Sequence, residues 1–312
     1  MRNYMEFFKH GVADLHVILK DSLLVRAVHE ELESCEPREK SEEVRAKMEE
    51  HTFDIMGYKV GNKVVGYVRQ GDLQSGTCDA CQQPLEPSDT VNACARILEM
   101  LSRMKNRRWL FTAAKDEIIG IVTLADLQKS PVRMALFGLV SLLEIHTLSM
   151  VRSCYPCNSD IEQGLGPCKS LDEAKKHYED MQDRHEDTDL AACLLLPAKR
   201  DLLCDIRSLP EFLGFRNRGE ARDVLRQAIA LRNNLVHGRD VVHGLCDVGR
   251  ARRVFTQPAK LRNNLAHGSD VVEENPWTKP IELVEKVEKV LHNYETNREA
   301  FERQFGANGK KP

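Results

Sequence analysis

The order helix, strand, strand is written twice into the first half of this 312-residue chain, and no other feature narrows its fold so far. Ser41 opens the first unit and is followed by Glu42 and Glu43, where negative charge suits the start of a helix dipole, so a helix is predicted over 41–51. Two short apolar stretches follow, over 53–60 and 63–68, with the tight-turn pair Gly61-Asn62 between them. The order then recurs. Residues 92–104 carry Ala93, Ile97, Leu98 and Leu101 at helical spacing, and strands are predicted over 109–112 and 117–122, joined around Lys115-Asp116. A unit used twice is an internal repeat, and each copy would bury its sheet against the other. A further apolar helix is predicted over 134–145.

The second half reads as all-helical. A highly charged helix is predicted over 171–186, and an apolar stripe runs from 190 to 207, where Pro197 should break or kink it. Residues 220–237 carry Val224, Leu225, Ile229, Leu231, Leu235 and Val236, and residues 280–294 carry Ile281, Val284, Val287 and Leu291. Between the halves, 154–170 holds two Pro, two Gly and three Cys without a helical or strand period. The predicted fold class is therefore an α+β tandem pair over 1–153, a Cys/Pro/Gly-rich linker over 154–170, and an all-α bundle over 171–312.

Composition sets outer limits. A hydrophobic share of 42% with 30% charged residues supports a packed core and excludes wholesale disorder. A formal net charge of −3 excludes a protein that coats nucleic acid by charge alone. The longest largely apolar run, 134–143, stops at Glu144 and His146, so no membrane helix is expected. The first residues lack a continuous apolar stretch of the secretory kind. Ten cysteines are too sparse for a disulfide scaffold in a chain of this length, and a reduced, cytoplasmic protein is expected. Cys78/Cys81 and Cys154/Cys157 have zinc-gripping spacing, but a whole folded unit separates them in sequence, and no metal ligand is assigned.

Two passages of the repeat align directly. The second reads Gly120-Ile-Val-Thr123-Leu-Ala-Asp126-Leu127, the first Gly66-Tyr-Val-Arg69-Gln-Gly-Asp72-Leu73. A hydroxyl near a helix start binds phosphate together with backbone N–H groups, and a carboxylate one turn later accepts both hydroxyls of a ribose. Here the sequence resembles a tandem pair of CBS domains, over roughly residues 13–153. The resemblance implies an adenosyl regulatory ligand (AMP, ADP, ATP or S-adenosylmethionine) in clefts between the copies, with Gly120, Thr123 and Asp126 matching the family's binding stretch. The first copy departs from it, because Arg69 stands in place of Ser or Thr ahead of Asp72. Either that site is lost or it prefers a more anionic ligand. The plainer alternative is that Thr123 caps a helix that Asp126 supports, with no ligand.

The other signal is a duplication. Residues 231–242 read LRNNLVHGRDVV and residues 261–272 read LRNNLAHGSDVV, identical at ten of twelve positions. Each copy spaces Arg and His as R-x4-H: Arg232, Asn233 and His237, then Arg262, Asn263 and His267. Cleaving RNA by attack of a 2′-hydroxyl on the adjacent phosphate needs a proton acceptor near neutral pKa, which His supplies. It also needs fixed positive charge on the phosphorane oxygens, which the planar fork of Arg supplies. Asn can orient the phosphate or the imidazole, and no metal is required. The pattern resembles the HEPN superfamily, over roughly residues 171–300. That resemblance implies a helical, homodimeric domain that often acts as a metal-independent ribonuclease on an RNA substrate. The plainer alternative is that Arg and His cap helices and pair with acids.

One such motif per domain is the family's habit, so the second copy is a departure. Copy one has the long leading helix; copy two has Pro258 four residues before Arg262, though it is followed by Trp277 and the closing helix. Copy one is preferred as the functional copy. From 199 to 270 there are fourteen basic residues against eight acidic ones, which favours contact with RNA unless the basic face only pairs with the acidic helix at 171–186. The two halves together suggest an adenine-nucleotide-regulated RNA endonuclease, a toxin, defence or stress effector. The rival is a non-catalytic, nucleotide-responsive dimeric regulator or RNA binder.

Overall fold

A computed structural model describes residues 22–242 and 275–306, together with Val17. They form two compact units. One holds residues 22–135 with Val242 and 275–281; the other holds residues 136–241 and 282–306.

In the first unit each repeat has a short parallel strand, a helix and an antiparallel hairpin. Repeat one is β1 (Ser34–Cys35), α1 (Ser41–His51), β2 (Ile55–Val60) and β3 (Lys63–Arg69), with β4 (Gln83–Pro84) completing the sheet in the order β1-β2-β3-β4. Repeat two is β5 (Thr90–Asn92), α2 (Ile97–Met104), β6 (Trp109–Ala114) and β7 (Glu117–Thr123), in the order β5-β6-β7. The expected elements are present, shifted by a few residues at most ends. Helix α2 begins at Ile97 rather than 92, because Thr90–Asn92 pairs with β6 as a parallel strand. The two-residue β1 and β4 are too short to leave a period in the sequence.

The two hairpins share one register. Ile55 pairs with Arg69 and Tyr58 with Gly66; Trp109 pairs with Thr123 and Thr112 with Gly120. Each has a bulge at the same place, between Tyr58 and Lys59 or between Thr112 and Ala113. Arg69 and Thr123 thus hold equivalent positions at the strand ends. The second hairpin turns through Lys115 (φ 50°) and Asp116 (φ 64°), the paired left-handed conformation that fits the strand twist. Apolar faces close the core: α2 buries Ile97, Leu98, Met100, Leu101 and Met104, while Tyr67, Trp109 and Phe111 meet with ring centroids 5.0–5.6 Å apart.

Each repeat is completed by a segment that precedes the other in sequence. Val25 N–H donates to Ala95 O, Arg26 N–H to Ala93 O and Ile97 N–H to Leu23 O, and Glu30 bridges Ile121 on β7. Correspondingly, Cys78 N–H donates to Glu39 O, Asp79 N–H to Pro37 O and Ser41 N–H to Gly76 O, and β4 pairs with β3. The crossing explains two glycines. A Cβ on Gly120 would lie 2.5 Å from the Glu30 carbonyl oxygen, and one on Gly66 would lie 2.5 Å from that of Gln83.

The second unit is helical: most of α3 (Ser130–Cys154), then α4 (Asn158–Leu165), α5 (Lys169–Asp183), α6 (Leu196–Asp205), α7 (Arg218–Val236), most of α8 (Thr278–Thr296) and α9 (Arg298–Phe305). Helix α3 runs well beyond the predicted 134–145 because the polar residues that end the apolar run find partners. Glu144 pairs with Arg232 at 2.7 Å, and His146 Nε2 lies 2.7 Å from Glu295 Oε1. By length and composition α3 could cross a bilayer, yet 67% of its most apolar window is buried within the protein. Pro197 divides the stretch 190–207 as expected: a single turn, Leu190–Cys193, ends before it, and α6 starts around it, where a missing N–H costs nothing.

Residues 154–170 are not all loop. They carry α4, which buries Ile161, ends at Gly166 (φ +63°) and uses Gly164 to admit Leu202 and Tyr155. Tyr294 and Phe301 anchor the core, with centroids 5.0 Å apart, and the Tyr294 hydroxyl donates to Ser149 Oγ at 3.0 Å.

Gly120→Ala should destabilise the protein by about 1–3 kcal/mol in chemical denaturation, since backbone rather than a flexible side chain must yield. Gly71→Ala, with open space around it, should change stability by less than about 0.5 kcal/mol. Equal effects would show that the crossing segment does not fix the position.

Candidate functional sites

In repeat two, Asp126 sits at the end of β7 in a single 3-10 turn, Asp126–Gln128, and is 6% exposed. Its Oδ2 accepts from the Thr123 amide at 2.7 Å and from the Thr123 hydroxyl at 2.9 Å. Its Oδ1 pairs with Lys129 Nζ at 2.9 Å. The same ammonium donates to the Val28 carbonyl at 2.6 Å and contacts the Glu30 carboxylate. Burial opposes the charge on Lys129, but the hydrogen bonds to Glu30 and Asp126 outweigh it and hold its pKa above the usual lysine value. His29 Nδ1 lies 2.8 Å from Thr112 Oγ1, beside Gly120. The sequence-predicted trio Gly120, Thr123 and Asp126 is therefore brought together. The carboxylate is engaged internally by Thr123 and Lys129, and Thr123 donates to it rather than capping the turn that Asp126 opens.

Repeat one repeats the plan with other chemistry. Asp72 Oδ2 accepts from Gln83 Nε2 at 2.7 Å, and Asp72 is exposed where its counterpart Asp126 is buried. Arg69 lies over the Tyr67 ring, 5.7 Å from its centroid, and its Nη2 is 3.4 Å from the Tyr67 hydroxyl. Lys129, Glu30, Gln83 and His29 were absent from the sequence reading. They reach the sites through the crossing segments or a turn beyond the motif, and only the strand pairing reveals that.

In the second unit, Arg232 and Asn233 lie in the last turn and a half of α7, and His237 is its C-cap. Gly238 (φ +64°) donates its N–H to Leu235 O at 3.3 Å, and Arg239 donates to Asn234 O at 2.8 Å. This pair of bonds is the Schellman end, and it assigns the glycine after the histidine to helix termination. Arg232 is half-buried and uses Nε for its ion pair with Glu144, so its other guanidinium donors are not consumed by that bond. Asn233 and His237 are exposed, and the His237 side chain has no hydrogen-bond or ion-pair partner among the described residues. Asn234, by contrast, is 7% exposed, and its Nδ2 has no partner among the described residues. Arg262, Asn263 and His267 lie outside the described residues.

The cysteine pairs do different work. Cys78 is fully buried beside Cys35 and packs with Val44, Met48 and Leu73, and burial raises both thiol pKa values. The Cys154 thiol is pushed up to about 12 by burial and then by Glu302, while Cys157 is exposed ahead of α4. Among the described residues no group of three His, Cys, Asp or Glu side chains is arranged to hold a metal ion.

No family model matches the chain, and no curated protein matches it. Solved structures do. An uncharacterized conserved protein from Pyrococcus horikoshii is 19% identical, with 33% of this chain and 88% of that one covered and a TM-score of 0.31. A CBS domain pair in complex with 5-methylthioadenosine and S-adenosyl-L-methionine is 15% identical, over 33% of this chain and 91% of that one, with a TM-score of 0.30. The CBS domain of a bacterial CNNM/CorC family Mg2+ transporter in complex with ATP is 16% identical, over 40% and 96%, with a TM-score of 0.31.

Asp126→Ala should cost about 2–4 kcal/mol, because it strips partners from the Thr123 amide and from a half-buried ammonium. Asp72→Ala, which removes an exposed carboxylate, should cost less than about 1 kcal/mol. Urea unfolding of both variants tests the contrast, and a larger loss for Asp72→Ala would contradict it.

Proposed function

We propose that the chain is an adenine-nucleotide-regulated, metal-independent RNA endonuclease acting as a homodimer in a reducing cytoplasm. The domain limits read from the sequence, 1–153 for the sensor and 171–312 for the effector, belong to this proposal. So do the HEPN likeness and the RNA substrate.

The observation that carries it is His237. Its imidazole is exposed, without a side-chain partner among the described residues, at a glycine-terminated helix end little more than one turn from a half-buried arginine, which leaves it open to a substrate. Neutral His237 would take the proton from a ribose 2′-hydroxyl. The freed oxygen attacks the adjacent phosphorus, the bond to the 5′-oxygen breaks, and that oxygen leaves with a proton. The products are a 2′,3′-cyclic phosphate and a 5′-hydroxyl end. Arg232 would offset the charge that builds on the phosphorane oxygens, with Glu144 holding the guanidinium by its Nε edge. In the sensor, the ribose would take the Asp126 carboxylate in place of Thr123 and Lys129. Regulation then requires the ligand to favour one arrangement of the dimer over another.

The Arg232–Glu144 pair also suits a non-catalytic helical regulator, in which the arginine is structural. Labelled RNA incubated with the protein in EDTA, with and without adenine nucleotides, separates the two. Cleavage should yield cyclic-phosphate ends and fall by roughly 100-fold or more in His237→Ala. His267→Ala, tested alongside, assigns the working copy of the motif. RNA left intact under every condition would leave the regulator.

A further inference from the structure

The two repeats put different charges at equivalent positions. In repeat two the Lys129 ammonium is committed to three acceptors, Asp126, Glu30 and the Val28 carbonyl. Two carboxylates face one cation, so the cluster keeps a net negative charge. In repeat one the counterpart of Glu30 is the neutral Gln83, whose amide donates to Asp72. The counterpart of Thr123 is Arg69, exposed and without a carboxylate partner among the described residues. One acid there stands against one cation whose contacts are the ring and hydroxyl of Tyr67.

Resting on the nucleotide reading above, we propose that the two clefts sort adenosyl ligands by the charge carried at C5′. The repeat-one cleft takes phosphate-bearing nucleosides, and the repeat-two cleft takes uncharged or sulfonium-bearing adenosyl compounds. With ribose hydroxyls on the aspartate, the 5′ substituent points to the strand end, where position 69 or 123 stands. Arg69 offers a phosphate a charge-assisted, two-pronged contact. Thr123 offers only a neutral hydroxyl, and Lys129, once the ribose takes Asp126 from it, is still held by Glu30 and the Val28 carbonyl. Glu30, held against Lys129, adds a negative charge that repels phosphate and attracts a sulfonium.

Calorimetric titration of the full chain with AMP and with 5′-methylthioadenosine, an uncharged thioether, tests this. Arg69→Gln, an exposed change, should weaken AMP binding by roughly tenfold or more and leave the thioether within roughly threefold. Asp72→Asn should leave only the repeat-two cleft. Adding Glu30→Gln to it frees Lys129 for a phosphate and should strengthen AMP there by roughly three- to tenfold. An unchanged AMP-to-thioether ratio in both variants, with Asp72→Asn still removing a site, would overturn charge sorting while leaving the nucleotide reading intact. Absence of binding by either compound to the unaltered protein would overturn both.

Discussion

Backbone hydrogen bonding by the two crossing segments holds the first unit together. Each repeat leaves an edge of its hairpin and the first amide of its helix to be paired by a segment from outside it. Residues 23–30 supply the amides and carbonyls that residues 93–97 and Ile121 need, and residues 76–84 do the same for residues 37–41 and β3. Buried backbone groups without partners are costly, so the exchange is obligatory rather than decorative. It also sets the sites. Val28 and Glu30 come to Lys129, and Gln83 comes to Asp72, because the segments must pass over Gly120 and Gly66 to reach their sheets.

The helical unit follows a different rule. Its helices are long because polar residues in apolar stripes are answered from neighbouring elements. His146 meets Glu295, Tyr294 meets Ser149, and Arg152 meets Asp189 at 2.7 Å. Such pairs stabilise weakly when half-exposed, yet leaving one member unpaired within a packed stripe costs more. Against that background the end of α7 stands apart: among the described residues neither the buried Asn234 amide nitrogen nor the exposed His237 imidazole has a partner.

Period and turn chemistry made much of this fold legible in the sequence. Helix α1 lies where Ser41 and its glutamates put it, both hairpins turn where Gly61-Asn62 and Lys115-Asp116 said, and Pro197 divides its helix. Strands of two or three residues, such as Ser34–Cys35 and Gln83–Pro84, carry no period and were invisible. Helix α4 was hidden for the opposite reason, since its Cys, Pro and Gly neighbours read as loop while one buried Ile161 holds it. In the candidate sites, Thr123 and Asp126 were readable as a motif, and Arg232 and His237 as a spacing. Glu30, Gln83 and Glu144 were not, because each comes to its site from a distant stretch of chain, and one sequence without strand pairing cannot show that.

The reciprocal exchange between repeats has an evolutionary corollary. A lone ancestral copy of the unit would have presented β7-like and helix-start backbone groups to solvent, and a second chain lending its leading segment could have satisfied them. Within one covalent chain the two lent segments need not be alike, and Glu30 and Gln83 differ at one equivalent position.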